Sequence, residues 1–297
     1  MITWGMVGNS HDASIAVFDG TELTWASLSK DFSGIPNDPD PNWSQIQMAR
    51  KFTYRDIPDE VVWYERPGLK TLRQWRAGQG WLWAENNIRR YLKRWDIISP
   101  IKYTQHHLSH AAAGFQTSPF DRAVVLVVDA IGEWDTYSAY IASYDDTGKA
   151  VYKPVLKIRY PNSMGLFYSA MTQAAGLKPM EEEYILMGMA AIGDPMRLYD
   201  SIKKDFFISY PTENHGVIFS QNCHRGCLDW LPGINRPQDY ADIAAATQAI
   251  YQEVFVEFCK KASDITERKI DNLITVSYTH LRAHETGRNL VCRLLLE

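Results

Sequence analysis

Three histidines fall within five residues in the segment Gln105-His106-His107-Leu108-Ser109-His110-Ala111. His106 and His110 are four apart, so on a helix they share a face one turn apart. Two neutral imidazoles so placed chelate a divalent metal, with iron, zinc and manganese the suitable ions. The plain alternative is a polar helix start with ordinary histidines. His107 points to another side and is not expected to join them. Downstream, Asp129 closes the apolar run Ala123-Val124-Val125-Leu126-Val127-Val128. An unpaired carboxylate in a core is costly, so Asp129 is expected at the mouth of a cleft. Its plain role would be to cap the turn over Gly132. His106, His110 and Asp129 together offer two nitrogens and one oxygen, leaving coordination positions open for water or substrate.

Two small polar turns follow apolar strands. One holds His11-Asp12-Ala13-Ser14, the other Gly132-Glu133-Trp134-Asp135-Thr136. Small residues let backbone N–H groups approach a phosphate, although neither turn is a Walker or dinucleotide motif. Residues 66–94 carry Arg66, Lys70, Arg73, Arg76, Arg89, Arg90, Lys93 and Arg94 against Glu85 alone, with Trp75, Trp81 and Trp83 interleaved. That mixture can bind single-stranded nucleic acid. The plain reading is an amphipathic helix with tryptophans packed inward and a solvated basic face. Cys223-x3-Cys227 flanks His224 but lacks a second Cys/His pair at zinc-finger spacing.

The elements that must position these groups follow from periodicity. Residues 2–8, 13–19 and 22–28 read as strands, the last two joined at Asp19-Gly20. The Pro- and Asp-rich stretch 33–42 reads as loop. A strand at 60–64, a helix over 69–95, a strand at 101–104 and a helix over 106–117 follow. The pattern then restarts: a doubly covered strand at 123–129, strands at 136–144 and 150–158, helices at 164–176, 180–192 and 239–263, and a strand at 271–275. The expectation is an α/β protein of two lobes, 1–120 and 121–275, each opening with three hairpin-joined strands and holding a ligand between them. The second lobe is expected to be incomplete within these residues.

The 297 residues, net charge −4 and pI near 6.1 argue against a general polyanion binder, and nucleic acid is not the expected partner. No apolar run approaches the roughly 20 residues of a membrane span. The N-terminus has no secretion-signal pattern. Four cysteines are too few for a disulfide framework and suit a reducing cytoplasm. Residues 276–297 resemble one reading frame of a transposase-type sequencing adapter and are expected to be a non-native tail. On that reading His280-x3-His284 carries no meaning.

Six motifs, in order, resemble the nodulation and antibiotic carbamoyltransferases. They are His11-Asp12-Ala13-Ser14, His106-His107-Leu108-Ser109-His110-Ala111, the segment Asp129 to Thr136, Ser163-Met164-Gly165-Leu166-Phe167-Tyr168, the segment Met187 to Gly193, and Asp242-Ile243-Ala244-Ala245-Ala246-Thr247-Gln248. The resemblance implies a duplicated actin-like ATPase (ribonuclease H-like) fold, shared with sugar kinases and the universal tRNA threonylcarbamoyl-transferase. In that family a C-terminal adenylating domain makes carbamoyl-adenylate from carbamoyl phosphate and ATP. The N-terminal domain, matched here, transfers the carbamoyl group to a hydroxyl of a small-molecule acceptor. A divalent metal, iron foremost with zinc or manganese as alternatives, would be held by His106, His110 and Asp129.

His11 or Asp12 would be the base for the acceptor, and Gly132, Glu133 and Thr136 would hold the nucleotide. Lys30 would partly replace the family's Glu-Glu-Arg-Phe segment, which reads Ser27-Leu28-Ser29-Lys30-Asp31-Phe32 here. The family's Gly-Gly-x-Ala-Leu-Asn segment, a later metal-binding aspartate and the adenylating domain are missing. This stretch alone is therefore expected to fold poorly and not to complete the reaction. A kinase or ATPase of the same fold and a non-enzymatic binding module are the alternatives.

Overall fold

Alternating apolar residues in the first strands set the architecture of the N-terminal part. The structure, a computed structural model, describes residues 1–210, 216–227, 230, 236–266, 270–277 and 291–293. β1 (Ile2–Val7) pairs antiparallel with β2 (Ser14–Asp19), which pairs antiparallel with β3 (Glu22–Leu28). A single turn α1 (Lys30–Ser33) and the helix α2 (Trp43–Thr53) follow. β4 (Glu60–Trp63) returns parallel to β1. Helices α3 (Pro67–Arg76) and α4 (Ile88–Lys93) lead to β5 (Ile101–Tyr103), parallel to β4, and to α5 (His106–Gln116). The sheet order is β3-β2-β1-β4-β5. Ile2, Trp4 and Met6 of β1 point to one face, where Ile46 and Ala49 of α2 and Ile88 and Leu92 of α4 bury them. Trp4 is fully buried, and its indole N–H donates to Thr53 at 2.7 Å.

The second sheet is built on the continuous apolar strand β6 (Arg122–Gly132). β7 (Asp135–Tyr144) and β8 (Ala150–Arg159) extend it antiparallel, turning at Asp145 to Gly148. The helices α6 (Met164–Ala174), α7 (Glu183–Met189) and α8 (Tyr199–Phe206) come next, with a short 3-10 turn at Ala190–Ile192. A small ribbon, β9 (Phe207–Ser209) with β10 (Ile218–Phe219), precedes the long α9 (Pro237–Ile265). β11 (Asn272–Ser277) pairs parallel with β6 and antiparallel with β12 (Val291–Arg293), giving the order β12-β11-β6-β7-β8. Residues of α6 and α9 cover the face that carries Val124, Leu126 and Val128. On the other face Gly114 of α5 meets Ile274 and Val276 of β11. The protein is a mixed α/β chain in two compact units, Met1–Ser109 and His110–Glu297, whose boundary falls inside α5.

Several expectations need correction. The helix expected over 69–95 is two helices separated by residues 77–87. Gly78 takes a left-handed φ of +81°, and Gln79 N–H bonds Gln74 O while Gly78 N–H bonds Trp75 O. That is a Schellman stop, which terminates α3 regardless of the polar pattern beyond it. Asn86 then ties the connection back to α3 through Thr71 and Gln74. The tryptophans do not pack inward. Trp75, Trp81 and Trp83 are 59%, 61% and 57% exposed, whereas Lys70 and Arg73 are 9% and 8% exposed. Trp81 and Trp83 stack on each other with centroids 6.3 Å apart. The double variant Trp81→Ser/Trp83→Ser should therefore shift the unfolding free energy by under about 0.5 kcal/mol in a urea titration. Truncating the fully buried Trp63 to alanine should cost about 3–5 kcal/mol in the same titration. The helix expected over 180–192 is shorter, and α1, α2, α8, β9, β10 and β12 are additions to the expected elements, the last of them within the stretch expected to be a non-native tail. The strand read as ending at Asp129 runs to Gly132, and the one read as ending at 275 runs to Ser277. The pair His280/His284 lies outside the described residues.

The family-like motif at Asp242 has a structural task. Asp242 accepts the Asp194 N–H at 2.8 Å, Arg197 at 2.6 Å and Gln238 at 3.1 Å. Burial pushes its carboxyl up, but these bonds and the Arg197 charge outweigh it and hold the group below its ordinary 3.8. The stability it confers is complete at neutral pH. It fades as pH falls from about 4 through the lower folded value, because the unfolded chain takes up the proton first. Urea midpoints measured from pH 5 downward should fall less steeply for Asp242→Asn than for the parent.

Candidate metal centre

α5 begins at His106, and the helical repeat brings His110 one turn on. Ser109 reinforces that first turn by donating to the His106 carbonyl at 2.7 Å. The His106 ring packs edge-on against Tyr64 with centroids 5.3 Å apart, and its Nδ1 lies 3.9 Å from Oε2 of Glu65. His107 is buried at 2% exposure and belongs to the packing.

Asp129 stands where the regular pairing of β6 with β7 breaks, after Val128↔Tyr137 and before Gly132↔Asp135. Its Oδ1 accepts the neighbouring Ala130 N–H at 2.7 Å. Ser163 pins the irregular stretch: its hydroxyl donates to Ala130 O at 2.7 Å and accepts the Leu166 N–H that caps α6. Gly165 makes this approach feasible, since a Cβ there would stand 2.9 Å from Ala130 Cα. The ligand atoms of His106, His110 and Asp129 all lie within 4.8 Å of one another. A first-row ion about 2.1 Å from each donor needs them within about 4.2 Å, so adjustments under about 1 Å close the group on an ion. The donor set, two imidazoles and one carboxylate, fits iron, zinc or manganese.

The remaining candidates stand elsewhere or have other partners. His11 Nδ1 and Asp12 Oδ2 are 3.0 Å apart on an exposed turn, and neither belongs to the three-residue group. The His11 hydrogen bond holds the Asp12 carboxyl below the usual aspartate range despite partial burial, with help from the charge of exposed Lys30. Glu133 is buried and takes a left-handed φ of +60° in the turn after Gly132. Thr136 donates to the carbonyls of Asn162 and Ile158, which fixes the end of β8. Cys223 and Cys227 are core thiols, pushed up by burial to about 12 and about 11. One pair escaped sequence reasoning. Lys70, counted among surface cations, donates from Nζ to Oε1 of Glu65 at 2.7 Å, with both side chains buried.

Comparison with known proteins places these elements. Nodulation protein NolNO of Sinorhizobium fredii is 32% identical over 173 residues, 57% of this chain and 24% of that protein. The Synechocystis protein sll1178 is 42% identical over 98 residues, 33% of this chain and 15% of that protein. The match thus spans about a quarter or less of either relative's length. Among solved structures, the Aquifex aeolicus PPX-GPPA enzyme matches at 14% identity across 94% of this chain and 96% of that one. Its TM-score of 0.34 is too low for the superposition to carry a fold assignment. No described helix is long and apolar enough to cross a membrane. The family described as "Carbamoyltransferase N-terminus" matches residues 75–277, more than half the chain and the stretch that holds α5, β6 and α6; the protein belongs to that family.

Proposed function

We propose that this chain is the transfer part of an O-carbamoyltransferase, which moves a carbamoyl group from carbamoyl-adenylate to a hydroxyl of a small acceptor. The observation that carries the reading is the convergence of His106, His110 and Asp129 within 4.8 Å. Family membership supplies the reaction class. A divalent cation bound by these three would supply Lewis-acid polarisation of the donor. The acceptor oxygen forms its bond to the carbamoyl carbon, the bond from that carbon to the adenylate oxygen breaks, and AMP leaves. The acceptor proton goes to His11, whose Nδ1 side rests on Asp12, so that Nε2 is the basic nitrogen. Backbone donors around Gly132 and Glu133, with Lys30, are assigned to the nucleotide phosphate. The matching strand orders β3-β2-β1-β4 and β8-β7-β6-β11 favour two copies of an actin-like sheet. The adenylating half is assigned to a further segment of the protein, and the cytoplasm is the expected compartment.

The test uses the full-length protein with carbon-labelled carbamoyl phosphate, ATP and a panel of alcohols. Label should appear on an acceptor hydroxyl and be lost in His110→Ala. Phosphate transferred from ATP to the acceptor, with no carbon label, would instead identify a kinase.

A further inference from the structure

We propose that the buried Glu65–Lys70 pair is a positioning device for His106, holding the Nδ1 edge of the imidazole so that Nε2 is presented to the cation. The inference rests on the metal reading above. Glu65 lies two residues beyond the end of β4, and Lys70 lies on α3. They are 4% and 9% exposed. Removing two charges from water is expensive, and an apolar pair of the same volume would serve packing as well or better. A further use of the charge accounts for that cost. The two carboxylate oxygens divide their tasks: Oε1 takes Lys70 Nζ at 2.7 Å, while Oε2 faces His106 Nδ1 at 3.9 Å. The Tyr64 ring closes a second side of the imidazole. A carboxylate behind a ligating histidine fixes its tautomer and orientation and makes the free nitrogen a better ligand. Lys70 keeps the Glu65 carboxylate aimed through its bond to Oε1.

The test titrates the full chain with Co²⁺, following the ligand-field absorption, with Zn²⁺ competition for affinity. Glu65→Gln should weaken Co²⁺ binding about 10- to 100-fold and lower the melting temperature, since it strands the Lys70 ammonium. In Glu65→Gln/Lys70→Met the stranded charge is gone, so the melting temperature should recover while affinity stays low and the cobalt spectrum stays altered. Glu65→Asp should restore part of the affinity. A double variant that binds Co²⁺ as tightly as the parent, with the parent spectrum, would overturn the proposal and leave the pair a packing feature. Absence of Co²⁺ binding in the parent, or its persistence in His110→Ala, would instead defeat the metal reading on which the proposal stands.

Discussion

Alanine at His110 should lower bound iron or zinc from about one equivalent to below about a tenth, and the proposed carbamoyl transfer should fall with it. The expectation follows from the donor count. His106, His110 and Asp129 are the single group among the described residues that can ligate an ion. Removing one of three donors breaks the chelate and leaves a pair too weak to survive gel filtration. Since removal of a mere supporting group typically costs 10–100-fold in affinity, loss of a ligand should exceed about a hundredfold. His106→Ala should behave alike, and the double variant should lose little more than either single one, because the residues act as a unit. His107→Ala is the control. That ring is buried at 2% exposure and lies outside the group, so the variant should lose stability yet retain the ion. Metal content by plasma mass spectrometry, beside a melting curve for each variant, reads all four outcomes.

Gly193→Ala should cost more than about 3 kcal/mol of stability, at the severe end of overpacking. A Cβ at Gly193 would lie 1.9 Å from Ala241 O and 2.3 Å from Ala241 C. Both atoms are backbone of α9, so no rotamer change relieves the clash and the helix itself must move. Gly165→Ala meets backbone as well, at 2.9 Å from Ala130 Cα and 3.0 Å from Ala130 N. Its stability cost should be about 1–3 kcal/mol. It also displaces the stretch of β6 that carries Asp129, so metal affinity should fall beyond what instability explains. Gly188→Ala completes the set. A methyl there would meet nothing within 4 Å beyond its chain neighbours and the helix's own backbone, and on α7 alanine should gain about 0.5–1 kcal/mol. Urea midpoints and Co²⁺ affinity, measured on all three, separate packing from ligand placement.

The strands of both sheets, β12 excepted, are legible in the sequence because alternation and turn chemistry are local. Asp19-Gly20 and the Asp145 to Gly148 turn carry their geometry in their own residues. The grouping of His106 with His110 is legible for the same reason, as helical spacing brings i and i+4 together. What cannot be read depends on neighbours distant in sequence. Nothing in Ser163-Met164-Gly165 announces that Ser163 bonds Ala130 O, or that Gly165 must lack a side chain to let α6 reach β6. Periodicity in residues 66–94 identifies an amphipathic α3 but not which of its faces is covered, and so it places the tryptophans inward and Lys70 outward, the reverse of what the fold does. α2 does carry a local signal: Asn42 caps it by accepting the Gln45 N–H, and Ile46, Ala49 and Thr53 recur at helical spacing.

β8 closes one end of the second sheet with Lys153, Pro154, Lys157 and Arg159 along its length. Proline has no amide proton to offer a stranger's backbone, and the exposed Lys153 beside it repels its own image in another copy, whereas Lys157 and Arg159 are paired with Asp135. The border of the sheet thereby resists recruiting further chains into a fibre, protection that a protein with a Val-rich central strand needs while its sheets are still assembling.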